Sequence, residues 1–292
     1  MPLRAALESL VAALPADSEI IVVDGDPGRS AAAVIEQIDR SNGGPQIRYL
    51  AGVTGLCGQR NAGIDAAHGD VVVFTDDDCT LAPGFYESLV TAYRDPAVVG
   101  VTGRVLVPRD DRIGSDAESS LRRLVLGGGR QGTMTSFGFR RPIIDVDSPR
   151  SVEYMGGAFM SARRAAAAEV RFDEQLERLS GYALGEDDDF SYRLSRRGRI
   201  CYVPSAVVHH EALGQRTMDR RMLDRQVVMN RTYLYRKNFA GTLRGRLGFA
   251  ALFAMIFAHR IINREWEGVR GLIDGLCDVR RTRMDGRQDR LG

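Results

Sequence analysis

The segment Asp70–Thr75, with the sequence DVVVFT, is followed by three aspartates, and this arrangement constrains the fold more than any other. A short apolar run that stops abruptly is typical of a strand buried in a sheet. Side chains alternate along a strand, so Asp76 and Asp78 should project to one side and Asp77 to the other. Open α/β sheets bind ligands beyond the carboxyl ends of their strands. We therefore predict a ligand site here.

The chemistry of this site follows from the residue type. Paired carboxylates supply hard oxygen ligands, which suit Mg²⁺ or Mn²⁺ holding a diphosphate. The alternative is an acidic turn that caps the next helix. A turn needs only one of three mutually repelling aspartates, so we favour the metal.

Strand and helix signals alternate through the first two thirds of the chain. The apolar stripe of Leu3–Leu14 predicts a helix, and Glu19–Asp24 predicts a buried strand. Such alternation favours an α/β fold with a mostly parallel central sheet flanked by helices. We predict one domain over residues 1–211, in which 108–150 lacks periodicity and forms a flexible acceptor or lid loop. Residues 212–292 form a basic helical extension.

A second acidic cluster, Glu186–Asp189, lies at the start of a predicted helix. Acidic residues in a first helical turn stabilise the helix dipole, and Asp189 is spaced to pair with Arg193. That ordinary interpretation covers Asp188 and Asp189. Crowded carboxylates also raise one another's pKa, which suits a general base.

Charge is distributed unevenly along the chain. From Ala212 onward there are 17 Lys and Arg against eight Asp and Glu, whereas the preceding part has 23 against 30. A basic tail indicates an anionic partner. Its apolar run, Leu247–Ala258, is 12 residues long and therefore short of the roughly 20 that span a bilayer. We predict peripheral membrane contact, against a helix packed on the domain or in a homodimer.

The cysteines are scattered and include no C-x-x-C spacing, which argues against a disulfide framework or a zinc site; they are Cys57, Cys79, Cys201 and Cys277. No secretory signal precedes the first helix. We therefore expect a cytoplasmic protein, peripheral at the inner face of the membrane, and no nucleic-acid partner.

Six motifs follow one another in a characteristic order: Val23–Gly25, Gly58–Ile64, Asp76-x-Asp78, Gly156–Phe159, Gly185–Leu194 and Pro204–His210. In this order the chain resembles the family 2 glycosyltransferases over about residues 3–211. The resemblance implies a GT-A fold and inverting transfer of a sugar from a UDP, GDP or dTDP donor. It implies a glycan or lipid-linked acceptor, such as a bacterial cell-envelope polysaccharide precursor.

The resemblance also implies how the donor is held. Asp24 contacts the nucleobase or ribose, and Arg60 with Asn61 lines the nucleotide pocket. From the residues alone, these last two could equally be a helix-surface arginine and a helix cap. Gly156 and Gly157 lie near the acceptor and the donor sugar.

The same resemblance implies the metal ligands and the catalytic pair. Asp76 faces the ribose and the metal, Asp78 ligates Mn²⁺ or Mg²⁺ directly, and His210 is the third ligand, with His209 as the alternative. Asp187 is the general base. Glu186 beside it is an orienting group.

Two other functions fit parts of the sequence. A catalytically inactive relative could bind the nucleotide sugar or scaffold a partner, although every acidic motif position is filled. A sugar-nucleotide nucleotidyltransferase shares the layout, but its early glycine-rich phosphate loop is absent.

Family members open with an apolar strand that precedes a helix like Leu3–Leu14. Here Met1 and Pro2 precede that helix directly, so we expect the strand to be missing between Glu19–Asp24 and Asp70–Thr75. Either these two strands pair directly, or another segment or subunit fills the slot, or the natural start lies upstream. We favour the upstream start.

Overall fold

A computed structural model describes residues 2–38, 44–107, 129–144, 146–211 and 219–288. Two sheets and their flanking helices occupy the part before residue 211, and helices make up the rest. The predicted α/β class is confirmed. Most of the predicted loop 108–150 lies outside the described residues.

The smaller sheet contains two parallel strands, β1 (Glu19–Asp24) and β2 (Gln46–Ala51). Helices α1 (Pro2–Ala13) and α2 (Ser30–Glu36) lie beside it. Its apolar side chains form a separate small core, which contains Leu7, Ile20, Ile35, Ile38 and Ile47.

The larger sheet has the strand order β3-β7-β5-β8-β4, and β6 also pairs with β8. Its strands are β3 (Val71–Thr75), β4 (Cys79–Leu81), β5 (Val98–Leu106), β6 (Arg150–Val152), β7 (Phe159–Arg163) and β8 (Arg199–His210). Among the strand pairs that the structure describes in this sheet, β5 and β8 run parallel and the others are antiparallel. The expectation of a mostly parallel sheet is therefore wrong in this detail. Strands β4, β6 and β7 supply the antiparallel pairings and are too short to show a hydrophobic period.

Strand β8 is continuous, although its sequence, in which Ile200–Val203 and Ala206–His209 lie on either side of Pro204, predicts two short strands. A register shift against β5 at Gly103 and Arg104 absorbs the irregularity. Gly103 is required there, because a Cβ at this position would lie 1.9 Å from the Ala206 carbonyl oxygen. The shift lets β8 carry its last residue, His210, to the edge where β4 pairs.

Strands β1 and β3 belong to different sheets and do not pair with each other in the described part of the chain. Direct pairing, one of the alternatives for a missing strand, is therefore not what the structure shows. The two strands begin close together, since the Glu19 carboxylate accepts hydrogen bonds from the Gly69 and His68 amides. The upstream start stays a prediction.

Within the described ranges, five helices flank the larger sheet: α3 (Leu56–Ala66), α4 (Phe85–Tyr93), α5 (Arg164–Val170), α6 (Gln175–Ser180) and α7 (Glu186–Leu194). The main core lies between this sheet and α3, α5 and α7. Phe172 and Phe190 stack within it at 4.1 Å between ring centroids, and Phe74 meets both edge-on.

The C-terminal region is helical, as the sequence predicts. It contains α8 (Arg220–Leu234), a π-helical turn (Tyr235–Phe239), α9 (Leu243–Ile262) and α10 (Trp266–Gln288). Among the described residues, α9 is one helix that could cross a bilayer, judged by length and composition alone. It is longer than the 12-residue apolar run because arginines near both ends continue the helix.

Candidate active site

The three aspartates after β3 form a tight turn. The Cys79 amide donates to the Asp76 carbonyl oxygen at 3.2 Å, which closes the turn before β4 begins. Alternation along a strand is therefore not what brings Asp76 and Asp78 together, contrary to our expectation. The turn achieves the same convergence, because both carboxylates belong to one cluster of ligating groups.

His210 joins this cluster through the pairing of two strands. Cys79 lies opposite His210 where β4 meets β8, and the Glu211 amide donates to the Asp78 carbonyl oxygen at 3.0 Å. The His210 Nε2 consequently lies 3.0 Å from Asp78 Oδ1. His209 lies one position back, opposite Thr80, so its side chain points to the other face of the sheet.

The donor set fits a hard divalent cation. One ligating atom each from Asp76, Asp78, Cys79 and His210 lies within 4.8 Å of the others. Bonds of about 2.1 Å to Mg²⁺ place neighbouring octahedral ligands about 3 Å apart, the separation of His210 from Asp78. Cys79 fits less well, since burial raises the pKa of its thiol to about 11 and the thiol donates to the Ala158 carbonyl oxygen. The ligands that suit the cation are therefore the carboxylates of Asp76 and Asp78 and the imidazole of His210.

The second acidic cluster opens α7. Gly185 precedes the helix with a φ of 88°, and a Cβ there would also lie 2.9 Å from Leu234. Glycine therefore allows the sharp entry that buries all four acidic side chains of the first turn. The Asp187 Oδ2 accepts a hydrogen bond from the Gly157 amide at 3.1 Å and lies 3.4 Å from Arg140 Nη1.

Arg60 connects the two acidic clusters. Its guanidinium lies 2.8 Å from Glu186 and 3.5 Å from Asp76, and it donates to the Gly157 carbonyl oxygen at 3.3 Å. Arg60 is buried and also lies over the Phe172 ring. One continuous polar network therefore extends from the ligating groups around Asp76, through Arg60 and Gly157, to the start of α7.

Burial determines the protonation of the α7 carboxylates. Burial, together with the neighbouring charge of Asp187, raises the pKa of Glu186 to about 7, and Arg60 opposes the shift. The pKa of Asp187 is also raised, first by burial and then by the charge of Asp188, whereas Arg140 opposes the shift. Carboxylates with raised pKa can accept a proton near neutral pH.

The other two acids of α7 bind the C-terminal helices. Asp188 pairs with Arg231 of α8 at 2.6 Å. Asp189 pairs with Arg193 and Lys237, and it accepts a hydrogen bond from the side-chain amide of Asn238 at 2.8 Å. These buried contacts fix the rotation of α7 about its axis and so the directions of Glu186 and Asp187.

Two residues that were predicted to contact the sugar-nucleotide donor form hydrogen bonds within the protein. The Asp24 carboxylate accepts hydrogen bonds from the amides of Asp26 and Ala31 and from the Tyr49 hydroxyl. The Asn61 amide group exchanges hydrogen bonds with the backbone of Phe172, and it has an exposed fraction of only 4%. For Asn61, this favours a structural role over the predicted contact with the nucleotide.

Sequence reasoning did not single out Arg140, Arg231 or Cys79. Cys79 could have been found, because it directly follows the aspartates and shares their turn. The two arginines lie more than 40 positions from the acids that they contact, and only the fold brings Arg140 to Asp187 and Arg231 to Asp188. Arg140 lies in the predicted acceptor or lid loop, and Arg231 lies in the predicted basic extension.

Fold and site together define an α/β protein in which a turn with two carboxylates and a nearby histidine, a set that could hold a divalent cation, lies beside a buried acidic helix start. The sequence profile described as "Glycosyl transferase family 2" matches residues 2–169, which is more than half of the chain. The chain therefore belongs to glycosyl transferase family 2, and the predicted family is confirmed.

A curated relative is the pre-mycofactocin glycosyltransferase of Mycobacterium tuberculosis (strain CDC 1551 / Oshkosh). The two are 29% identical over 159 residues, which is 54% of this chain and 30% of the relative. The match thus spans less than a third of the relative's length.

Solved structures of glycosyltransferases share the fold. GalNAc-T7 with UDP, GalNAc and Mn²⁺ has a TM-score of 0.54 and 19% identity, covering 77% of this chain and 44% of that chain. The mannosyltransferase PcManGT of Pyrobaculum calidifontis, in complex with GDP-Man and Mn²⁺, has a TM-score of 0.50 and 17% identity, covering 89% and 76%. These similarities confirm the predicted GT-A fold.

Proposed function

We propose that this chain transfers a sugar from a nucleoside-diphosphate sugar to an acceptor hydroxyl, with inversion at the anomeric carbon. The observation that carries the proposal is the contact of Arg60 with both Asp76 and Glu186. The two terminal nitrogens of one guanidinium group thus contact the candidate cation site and the buried carboxylate pair. A metal-held diphosphate and a general base are the two parts that such a transfer needs.

Asp76, Asp78 and His210 would hold Mn²⁺ or Mg²⁺. The ion would neutralise negative charge on the departing nucleoside diphosphate. The match of the site to UDP or GDP donors is supported by the ligands named for GalNAc-T7 and PcManGT. A dTDP donor is the third candidate.

Asp187 acts as the general base. A hydroxyl oxygen of the acceptor bonds to the anomeric carbon while the bond from that carbon to the diphosphate oxygen breaks, and the hydroxyl proton passes to Asp187. The Gly157 amide and Arg140 orient the carboxylate. Glu186, held by Arg60, orients the base from its other side. A single displacement from the face opposite the leaving group inverts the configuration.

The acceptor has space beside this base. A cavity of about 670 Å³ is lined by Arg140, Gly156, Tyr154 and Tyr202. Arg140 lines this cavity and also contacts Asp187, and Gly156 precedes Gly157, whose amide donates to Asp187. We propose a glycan or lipid-linked acceptor here, in a cytoplasmic protein at the inner face of the membrane.

The function is tested with the full chain, Mn²⁺ and a panel of UDP-, GDP- and dTDP-sugars. Thermal stabilisation identifies the donor, release of nucleoside diphosphate reports turnover, and NMR of the product reports the anomeric configuration. Retained configuration would contradict inversion. Stabilisation by a donor without any metal-dependent release would instead favour the inactive, nucleotide-sugar-binding relative.

A further inference from the structure

Helix α9 presents an apolar stripe that the fold leaves uncovered. Its exposed positions recur at the helical period, and apart from Arg244 and Arg246 every one is apolar; they are Leu243, Leu247, Ala250, Ala251, Ala254, Ala258, Ile261 and Ile262. Leu243, Leu247 and Ile262 have exposed fractions of 71%, 62% and 77%. We call these eight residues the apolar stripe.

The opposite side of α9 is fixed to the protein. A Cβ at Gly248 would lie 2.5 Å from the Phe137 ring, and the Phe249 ring stacks on Tyr235 at 4.4 Å. Leu252 is buried on the same side, and Arg260 pairs with Asp224 at 2.9 Å. A helix that crossed a bilayer would have to give up these contacts. They favour a helix that lies in the plane of a membrane surface.

Charge at the ends of the stripe favours a lipid surface as its occupant. Arg244 and Arg246 are exposed at its N-terminal end, and Arg264 is exposed just beyond its C-terminal end. The helix contains no Asp or Glu. Trp266, exposed next to Arg264, is a residue type that favours the boundary between water and acyl chains. A second copy on the same stripe would instead gather arginines from both copies at each end.

We propose that the apolar stripe inserts into the interfacial region of an anionic lipid bilayer, with Arg244, Arg246 and Arg264 contacting the headgroups. The inference assigns a specific surface to the membrane location given with the proposed function. It is independent of sugar transfer, because the stripe shares no residue with the candidate active site.

Helix α9 nevertheless contacts a segment that reaches that site. The Ser136 carbonyl oxygen and the Phe137 ring contact the inner side of α9 at Gly245 and Gly248. Arg140, three positions after Phe137, contacts Asp187. The segment with Phe137 and Arg140 therefore connects α9 with Asp187. A membrane bound at α9 would contact the protein next to this segment, which suits an acceptor carried by a lipid.

The test is flotation of the full chain with vesicles, in EDTA and without any sugar nucleotide. We expect recovery with phosphatidylcholine vesicles that contain phosphatidylglycerol, and weaker recovery with phosphatidylcholine alone or in high salt. Combined substitution of Leu247→Gln and Ile262→Gln should lower the vesicle affinity about tenfold or more. Arg244→Gln with Arg246→Gln should lower it by a similar factor, on anionic vesicles alone.

The control is the pair Val90→Gln and Arg94→Gln, an exposed apolar and an exposed basic residue at the end of α4. It should leave flotation unchanged, and all variants should keep the circular dichroism of the parent. Equal recovery of the parent and the Leu247→Gln, Ile262→Gln variant would overturn the proposal. So would a dimer that this variant abolishes while vesicles recover no protein, or a bound fraction that resists alkaline carbonate. Sugar transfer is measured separately, so its failure leaves this result readable.

Discussion

The molecule contains two acidic clusters made of the same residue types in different surroundings. The side chains of Asp76 and Asp78 keep exposed fractions of 35% and 14% at the end of a turn, with Arg60 and His210 as their charged neighbours. The side chains of Asp188 and Asp189 have exposed fractions of 2% or less and pair with arginine and lysine side chains. An accessible carboxylate can still bind a cation. A buried carboxylate instead forms ion pairs that stabilise the fold, or has a raised pKa and can exchange a proton.

The second cluster is itself divided along the helix. Glu186 contacts Arg60, and Asp187 contacts the Gly157 amide. Asp188 and Asp189 instead contact Arg231 and Lys237 of the C-terminal region. Successive positions on a helix point about 100° apart, so one turn can serve both purposes. The ordinary interpretation of the sequence, in which acids cap a helix, therefore applies to half of the cluster.

The largest effect should come from the base. Asp187→Asn keeps the shape and the contact with the Gly157 amide but cannot take up the proton in the same way. Turnover should fall on the order of 10²- to 10⁴-fold, with donor affinity nearly unchanged. Initial rates and donor titrations measure both quantities. Asp95→Asn, an exposed and remote substitution, is the control, and near-parental turnover of Asp187→Asn would refute the assignment.

A smaller effect, on stability, should come from Asp189. Asp189→Ala leaves Arg193 and Lys237 without their buried partner, so the free energy of unfolding should drop by about 3 kcal/mol. The matched control, Asp65→Ala, breaks an exposed pair with Arg171 and should cost about 1 kcal/mol or less. Urea unfolding compares the two. Equal costs would mean that burial does not distinguish the acidic clusters as we argue.

The smallest effect is a pH dependence. The base must be ionised, and burial with the charge of Asp188 raises the pKa of Asp187 above that of an ordinary aspartate. Turnover should therefore fall in acidic solution at a higher pH than an ordinary aspartate would give, by roughly tenfold per pH unit once Asp187 is mostly protonated. Glu186→Gln removes one negative charge beside Asp187 and should move this limb to lower pH. A profile that stays flat from neutral to mildly acidic pH would contradict the coupling.

Much of the fold was predictable because its longer elements carry clear periodicity. Strand β1 has the predicted residues, and β3 and α1 are within one residue of their predicted bounds. The short strands β4 and β7 were missed, and with them the mixed character of the sheet. Three to five residues contain too few repeats to reveal a period.

The acidic motifs were predictable because their members are neighbours in sequence: Asp76 with Asp78, and Glu186 with Asp187. His210 is distant in sequence and was placed beside Asp78 only by the resemblance to the family; the two lie close together, and the roles of these residues stay predictions. Pairing across long separations was not predictable. Part of the basic excess of the tail, which we interpreted as attraction to an external anion, neutralises acids of the same chain through Arg231 and Lys237.

The central claim is that Asp76 and Asp78, together with His210, bind the metal and that the acidic start of α7 does not. Calorimetric titration of Mn²⁺ into the full chain with the nucleoside diphosphate tests it most directly. We predict that Asp78→Ala and His210→Ala each weaken Mn²⁺ binding at least tenfold, whereas Asp187→Asn binds Mn²⁺ like the parent. Parental affinity in Asp78→Ala, or loss of binding in Asp187→Asn alone, would contradict the account.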